Sequence, residues 1–477
     1  MLSSFRQLFS ENSLTARVFR GGVWLAAGNA LTRLIGVLRV IVLGRLLTPS
    51  DFGVVTMAMV AFQWIEYFGQ TGIQTALIQK QGDARPYLRT AWTIDVFRGL
   101  TLTLLAIAAA PLAGHFFNNP QVVPMLQVTG IIAAIRGFQS PAAVCLRRDL
   151  NFRREVLWRL TGTITNLVTV VPLAVYFRSG WAIIVAVVCS HAVETAFSYW
   201  AQPFKPRLEF DKKRARELLR FGRWIVWNNL LIFPSRFLDT IVVGKFLGAR
   251  LLGFYQVASQ LAMLPTAQTG IFLGGLMLPA FTKLEQRSDL RRAFLRVLSL
   301  VVSFMLPVAC FVTVFAGPVI RILLGAQWLQ SAPLAKILVW AGVATALTEI
   351  TGQMLIRQGK PQLATWSNLV KTLLLAGIFY PLLQAMHNEG IALALFAGSV
   401  VGLCIQLRYI CLLLNARWRE IGRTTIAGAV ASLPFVAVRV VGDPAVMAYP
   451  VQAATGLASL ATCAAVLLAF RGRIAAA

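Results

Sequence analysis

Residues 20–59 read RGGVWLAAGNALTRLIGVLRVIVLGRLLTPSDFGVVTMAM, and residues 220–259 read RFGRWIVWNNLLIFPSRFLDTIVVGKFLGARLLGFYQVAS. Laid over one another without a gap, the two stretches share twelve identities. Among them are Arg20/Arg220, Trp24/Trp224, Asn29/Asn229, Gly22/Gly222, Gly44/Gly244 and Gly53/Gly253. Gln-Thr-Gly-Ile follows at 70–73 and again at 268–271. Unrelated apolar helices match readily at Leu and Val, but not at Trp, Asn, Arg and Gly in register. The chain is therefore an internal duplication.

The rest of the composition says what the duplicated unit is. Hydrophobic residues make up 57% of the chain and charged residues 13%, with a mean hydropathy of +0.69. A soluble domain carries about 25% charged residues. A chain this poor in charge cannot clothe a water-facing surface, so most of its surface faces lipid. A membrane-crossing helix needs about 20 mostly apolar residues. Fourteen such spans are predicted, at 21–43, 52–79, 90–112, 120–144, 156–177, 181–201, 221–247, 252–281, 293–316, 330–356, 363–385, 388–415, 423–440 and 447–470. Six spans separate the start of one copy from the start of the next, so both copies enter the membrane from the same side. That makes the repeat parallel, with its axis along the membrane normal. The expected fold is an all-α polytopic membrane protein of two six-helix bundles plus two C-terminal helices. Its lobes are expected at 1–201 and 221–415, joined by a basic connector at 202–220 and followed by the appended helices in 416–477.

The formal net charge is +27. On a soluble chain this would point to nucleic acid, but here the cations come in short blocks between apolar spans. Alternate connectors hold 28 Lys and Arg on one side and 6 on the other. Cytoplasmic connectors are the basic ones, so both termini are expected in the cytoplasm of a bacterial inner membrane, with no nucleic-acid partner. The first twenty residues lack the short apolar core and cleavage site of a removable signal peptide. Phe5, Leu8 and Phe9 are compatible with a small interfacial helix there. The six cysteines lie in or beside apolar runs without paired spacing and read as packing residues.

Function is carried by what is costly in lipid. An ionised side chain at the centre of a span costs about 2.5–3.5 kcal/mol on insertion scales. Arg33 and Arg236 fall near the middle of their spans, Arg39 is deep in the first, and Arg136 and Lys371 lie toward the inner half of theirs. Guanidinium groups at depth match a pyrophosphate, which they bind through bidentate, charge-assisted hydrogen bonds. The competing reading is pairing with buried acids. The candidates for ion pairing or ion coupling are Glu66, Glu194, Asp239 and Glu349. Arg236 and Asp239 are spaced i, i+3, as are Asp95 and Arg98, so each couple can pair within its own helix. Gln63, Glu66, Gln70 and Gln74 share one face if 52–79 is a continuous helix. Amides donate and accept, which suits sugar hydroxyls. Thr345, Glu349 and Gln353 form a shorter stripe. Glu194 has no evident local partner and lies one turn from His191.

No enzyme signature competes: the chain has no Walker loop, no HExxH and no GxSxG. His115, His191 and His387 are scattered, so neither a metal nor a cofactor is expected.

The run Leu46-Leu47-Thr48-Pro49-Ser50-Asp51-Phe52-Gly53, followed by Gly72-Ile73-Gln74-Thr75-Ala76-Leu77-Ile78-Gln79, resembles the opening of the Wzx-type polysaccharide-transport flippases. So does Asp239-Thr240-Ile241-Val242-Val243-Gly244-Lys245-Phe246-Leu247-Gly248, continuing to Leu252-Gly253-Phe254-Tyr255. That family usually has Tyr directly after this Gly; here Phe254 intervenes. Its superfamily, the multidrug/oligosaccharidyl-lipid/polysaccharide exporters, is similar in having two six-helix lobes around a cationic cavity. The resemblance implies undecaprenyl-pyrophosphate-linked oligosaccharide as cargo, alternating access as mechanism, and the first, second, seventh and eighth spans as cavity walls. It further implies a place in exopolysaccharide, capsule or O-antigen assembly, beside a polysaccharide polymerase and chain-length proteins. Arg33-Leu34-Ile35-Gly36-Val37-Leu38-Arg39 is also similar to the first-helix motif of the lipid II flippases, where an Asp commonly follows. Val40 stands in its place.

On this reading Arg33, Arg39 and Arg236, with Arg136 and Lys371, attract the pyrophosphate, and Gln63, Gln70 and Gln74 contact sugar. The alternatives are a drug or cation antiporter of the same superfamily and a non-transporting scaffold of a glycan-assembly complex, with a membrane glycosyltransferase more distant.

Overall fold

The computed structural model describes residues 14–80, 83, 85–149, 151–282 and 286–441, with 455, 458, 459 and 462 beyond them. The proposed interfacial segment around Phe5 and most of the expected span 447–470 lie outside the described residues. Among the described residues every regular element is helical. They include eight helices that are long and apolar enough to cross a membrane. Large apolar side chains lie bare on the outside, Leu34, Leu104 and Leu112 among them at 68%, 68% and 73% exposure. Water would not tolerate such a surface over a whole bundle; lipid does.

The chain forms two compact units, Met1–Arg250 and Leu251–Ala477. The first begins with α1 (Leu14–Leu46) and α2 (Pro49–Phe68). Thr48 caps α2: its backbone is extended (φ −86°, ψ 159°), and its hydroxyl accepts from Asp51 N–H at 3.3 Å while its own N–H donates to Asp51 Oδ2 at 3.0 Å. The other Asp51 oxygen takes the Gly180 N–H at 3.1 Å, which ties α2 to the start of α8 (Trp181–Ala201). The helix expected to run from 52 to 79 does not: α2 ends at Phe68, Gly72 turns the chain at φ +67°, and α3 (Ile73–Gln79) restarts it. Two glycines within four residues remove the side chains that hold a helix together, and only glycine enters the left-handed region without strain.

Beyond α3 the chain forms α4 (Arg85–Phe116) and α5 (Val122–Gly137). Here too the structure corrects an expected span: 120–144 ends at Gly137, giving a 16-residue helix. Pro141 has no N–H to donate and forces Ser140 to be extended (ψ 116°), so the chain continues as a 3-10 turn (Pro141–Val144) and a single turn, α6 (Cys145–Arg148). The helix α7 (Phe152–Phe177) packs with α8 and against α1. Residues 203–211 then run without regular structure until α9 (Lys212–Thr282), which Gly248 divides at φ +78°, ψ 179°. Only glycine holds that backbone comfortably. The 200-residue shift of the repeat equates Gly248 with Thr48, so both copies break at the same register.

The second unit contains α10 (Arg287–Leu323), α11 (Ser331–Arg357), α12 (Pro361–Leu414) and α13 (Trp418–Val441). Within α12 the chain folds back on itself. Gly390 abuts the Leu382 carbonyl, Gly398 packs on Lys371, and Gln406 Nε2 donates to Ser367 Oγ at 2.6 Å. These partners pair antiparallel about residue 386, as the separate spans 363–385 and 388–415 predict. Bidentate pairing of Arg291 with Glu420 and the edge-on contact of Phe311 with Phe435 bind α10 to α13.

Candidate functional site

In the first unit, α4 and α5 cross at contact distance. A Cβ on Gly99 would lie 2.4 Å from the Ala133 carbonyl oxygen, and one on Gly137 would lie 2.7 Å from that of Asp95. Small residues at a membrane helix crossing let the backbones touch. The crossing brings Arg136 beside Asp95, and Arg136 Nη1 reaches from α5 to pair with Glu66 of α2. Asp95 in turn pairs with Arg98 at 3.3 Å, as their spacing predicts. Arg98 Nη1 extends 3.4 Å to the carbonyl of Gly69, the cap of α2, where the negative end of the helix dipole favours a cation.

These groups border a cavity of about 340 Å³ lined by Gln74, Asp95, Arg136, Glu155, Arg159, His191 and Glu194, with Trp158 on one wall. His191 Nδ1 lies 3.4 Å from Glu194 Oε2, so Glu194, expected to lack a local partner, has one on its own helix. Trp158 Nε1 donates to the Glu194 backbone carbonyl at 2.8 Å and joins α7 to α8. Arg159 lies 3.9 Å from Glu155, which is buried to 1% exposure.

Arg39 is placed differently. Its Nη1 donates to Asn166 Oδ1 at 2.8 Å, a neutral partner on α7 that is itself buried. Among the described residues no carboxylate lies within ion-pair distance of Arg39. Arg33 is half-buried on α1, and Arg236 is exposed on α9 with half-buried Asp239 one turn on. Lys371 packs its stem on Gly398 and Gly402 in the second unit, where Glu349 is exposed on α11.

Of the residues selected from sequence, Glu66, Arg136, Gln74 and Glu194 therefore come together, and Arg39 lies apart with Asn166. The amide stripe is broken: Gln63 and Glu66 are on α2, Gln70 is in the break, and Gln74 is on α3. Two participants were missed. Asn166 is a polar residue in mid-span, a signal that was there to be weighed. Glu155 lies one residue outside the expected span 156–177. Among the described residues no group of His, Cys, Asp or Glu is arranged to hold a metal ion.

Chemically, the unit offers two environments. Around the cavity, acids and cations offset one another and can exchange partners. At Arg39, a neutral amide leaves the guanidinium with its full charge, which is the state that binds an anion.

A bundle of apolar helices with ion pairs and an amide-held arginine inside it is the interior of a multi-pass membrane protein. The sequence pattern of the family described as "Polysaccharide biosynthesis protein" matches residues 42–333, more than half of the chain, and the chain belongs to that family. It is 22% identical over 365 residues to the lipopolysaccharide biosynthesis protein WzxC of Escherichia coli (strain K12), covering 76% of this chain and 74% of that one. Its fold matches the lipid II flippase MurJ in an inward closed conformation with a TM-score of 0.77 at 12% identity, covering 95% of this chain and all of that one. An inward-facing multidrug resistance transporter of the MATE family matches with a TM-score of 0.64 at 17% identity, over 80% of this chain and 94% of that one.

Proposed function

We propose that the protein is a flippase for undecaprenyl-pyrophosphate-linked oligosaccharide, carrying it from the cytoplasmic to the outer leaflet of the bacterial inner membrane. The observation that carries the reading is Arg39: a guanidinium within a membrane span, held by a neutral amide, with its charge available to a pyrophosphate. Family membership and the likeness to WzxC support a role in polysaccharide assembly. Arg33, Arg236 and Lys371 complete the cationic set, Arg136 joins it only on release from Glu66, and Gln63, Gln70 and Gln74 contact the sugars. Two lobes, 1–201 and 221–415, expose the cargo alternately to the two membrane faces. The connector 202–220 and both termini are cytoplasmic, and residues 416–477 supply two appended helices. A polysaccharide polymerase and chain-length proteins receive the product. The protein moves its substrate without transforming it.

The test is lipid-linked oligosaccharide in cells depleted of the protein. Depletion is expected to cause its accumulation on the cytoplasmic side, relieved by wild type and not by Arg39→Ala. Relief by Arg39→Ala to the wild-type level removes the pyrophosphate assignment. If no intermediate accumulates, the cargo is wrong. The acids around the first-unit cavity favour, as a second reading, a cation-coupled exporter of small molecules; that protein would change drug sensitivity on depletion and leave the lipid-linked pool unchanged.

A further inference from the structure

A second, larger cavity lies at the basic end of the first unit, between the start of α4 and the segment 203–211. It measures about 820 Å³, and Arg85, Arg89, Arg148, Lys205 and Arg214 line it. Its frame is rigid. The segment 203–211 is laced to α4, with the Glu209 N–H donating to Thr93 Oγ1 at 3.0 Å and the Asp211 N–H to Thr90 Oγ1 at 3.4 Å. Asp211 also accepts the Lys213 and Arg214 N–H groups at 2.8 and 3.1 Å and so caps α9. Lys80 pairs with Glu217, to which Tyr87 Oη donates at 2.8 Å. Beneath, Ile73, Leu77, Leu88, Ala142 and Leu218 form a buried apolar cluster.

Of the acids of this cavity, Glu209 is ion-paired. Glu209 is shared between Arg89 at 3.0 Å and Arg214 at 3.6 Å, and Asp83 Oδ1 accepts the Arg85 backbone N–H at 3.0 Å. Asp83, oriented by a neutral N–H, and Asp149 keep their charge. Among the described residues the side chains of Arg85 and Lys205 have no ion pair or hydrogen bond. The cavity thus carries five cations against three acids, and two of the cations are unspent. Its wall is also partly apolar, through Leu88, Ala142 and Phe204.

From this we infer that the cavity binds a phosphate-bearing ligand, with Arg85 and Lys205 as its principal contacts, and that the source of the phosphate is the headgroup of an anionic lipid. Basic pockets beside membrane helices on the cytoplasmic side have the charge and position to take such headgroups. The apolar wall favours the lipid over a free phosphate, since it covers the glycerol and upper acyl chain that a soluble anion lacks. The site shares no lining residue with the first cavity.

Cys145 lines the same cavity and reports on it. The experiment uses full-length protein with Cys145 as its only cysteine, in nanodiscs, and follows alkylation by an uncharged maleimide. Nanodiscs of phosphatidylglycerol are expected to slow the reaction severalfold relative to phosphatidylcholine. The slowing should vanish in Arg85→Gln/Lys205→Gln, whose elution profile and melting temperature match wild type because both side chains are exposed. Inorganic pyrophosphate added to phosphatidylcholine discs forms the second arm. Protection by pyrophosphate with none by phosphatidylglycerol keeps the phosphate site and overturns the lipid source. Equal rates in every condition, or slowing that survives the double substitution, overturns the site.

Discussion

Arg39 Nη1 donates to Asn166 Oδ1 at 2.8 Å, whereas Arg136, 70 residues from its partner, is paired with the carboxylate of Glu66. Two arginines on apolar helices thus differ in the charge they present. The first is oriented without being neutralised; the second is compensated by its own protein. If an anion is bound through a guanidinium, Arg39 is the better placed.

Asn166→Asp is expected to abolish that advantage. The new carboxylate pairs with Arg39 and competes with any anionic cargo, lowering transport on the order of tenfold, the effect of about 1.4 kcal/mol on a rate. Asn166→Ser leaves the charge and loses less. Export of lipid-linked oligosaccharide in complemented cells measures both. Equal activity of Asn166→Asp and wild type removes Arg39 from the anion path.

The Glu66–Arg136 pair is expected to be structural. Its side chains are 17% and 40% exposed, so removing one partner should cost more than the ~1 kcal/mol of a surface pair and less than the ~3–5 kcal/mol of a fully buried one. Glu66→Gln should lower the melting temperature of purified protein, and Glu66→Gln/Arg136→Gln should recover most of the loss. A double variant no more stable than the sum of its parts denies the coupling.

The α4–α5 crossing makes a sharper forecast. Gly137→Ala puts a methyl 2.7 Å from the Asp95 carbonyl, and backbone cannot step aside cheaply. A destabilisation of about 1–3 kcal/mol is expected from such overpacking. Gly36→Ala, with nothing within 4 Å of the added carbon, should instead stabilise α1 by about 0.4–1 kcal/mol. Thermal unfolding in one detergent compares the two directly, and a Gly137→Ala protein as stable as wild type contradicts the close crossing.

The contact that anchors α9 to α3 is expected to be insensitive to physiological pH. The Lys80 ammonium, with the Tyr87 hydroxyl, holds the Glu217 carboxyl below its ordinary value. A carboxyl lowered on folding contributes stability above its unfolded pKa of about 4.3 and loses it as pH falls through the folded value. The Glu217 carboxylate and Tyr87 raise Lys80, so its share is complete below about pH 10.4 and lost only as pH rises past its folded value. Amide exchange over residues 203–218, relative to intrinsic rates, should therefore stay flat from about pH 5 to 10. Glu217→Gln should raise it at pH 7; unchanged exchange in that variant rules out the anchor.

Local rules made much of the architecture legible. The span 181–201 coincides with α8, because an apolar run is bounded by Ser179-Gly180 before it and Gln202-Pro203 after it. The turn in α12 was readable from the polar run Asn388-Glu389-Gly390 between two apolar ones. Errors arose where a break hides inside an apolar stretch, as at Gly69–Gly72 and Ser140-Pro141. The site was legible only as an inventory. Hydropathy identifies Arg39, Glu66, Arg136 and Asn166 as costly in lipid, but their partners lie 127 and 70 residues away. Which charge meets which is decided by helix crossings, such as that of Gly99 with Gly137, and no periodicity in one chain encodes those.

The equivalence of Thr48 and Gly248 bears on how the two copies diverged. At Thr48 the chain bends through a hydroxyl and a carboxylate that close on one another; at Gly248 it bends through a backbone that only a residue without a side chain tolerates. The two copies thus break at one register by two different devices. What the copies share is a position along the helix where direction changes, and each reaches it by its own chemistry. Searches for distant members of this lineage would therefore do better to align breaks in helices than to align the residues that cause them.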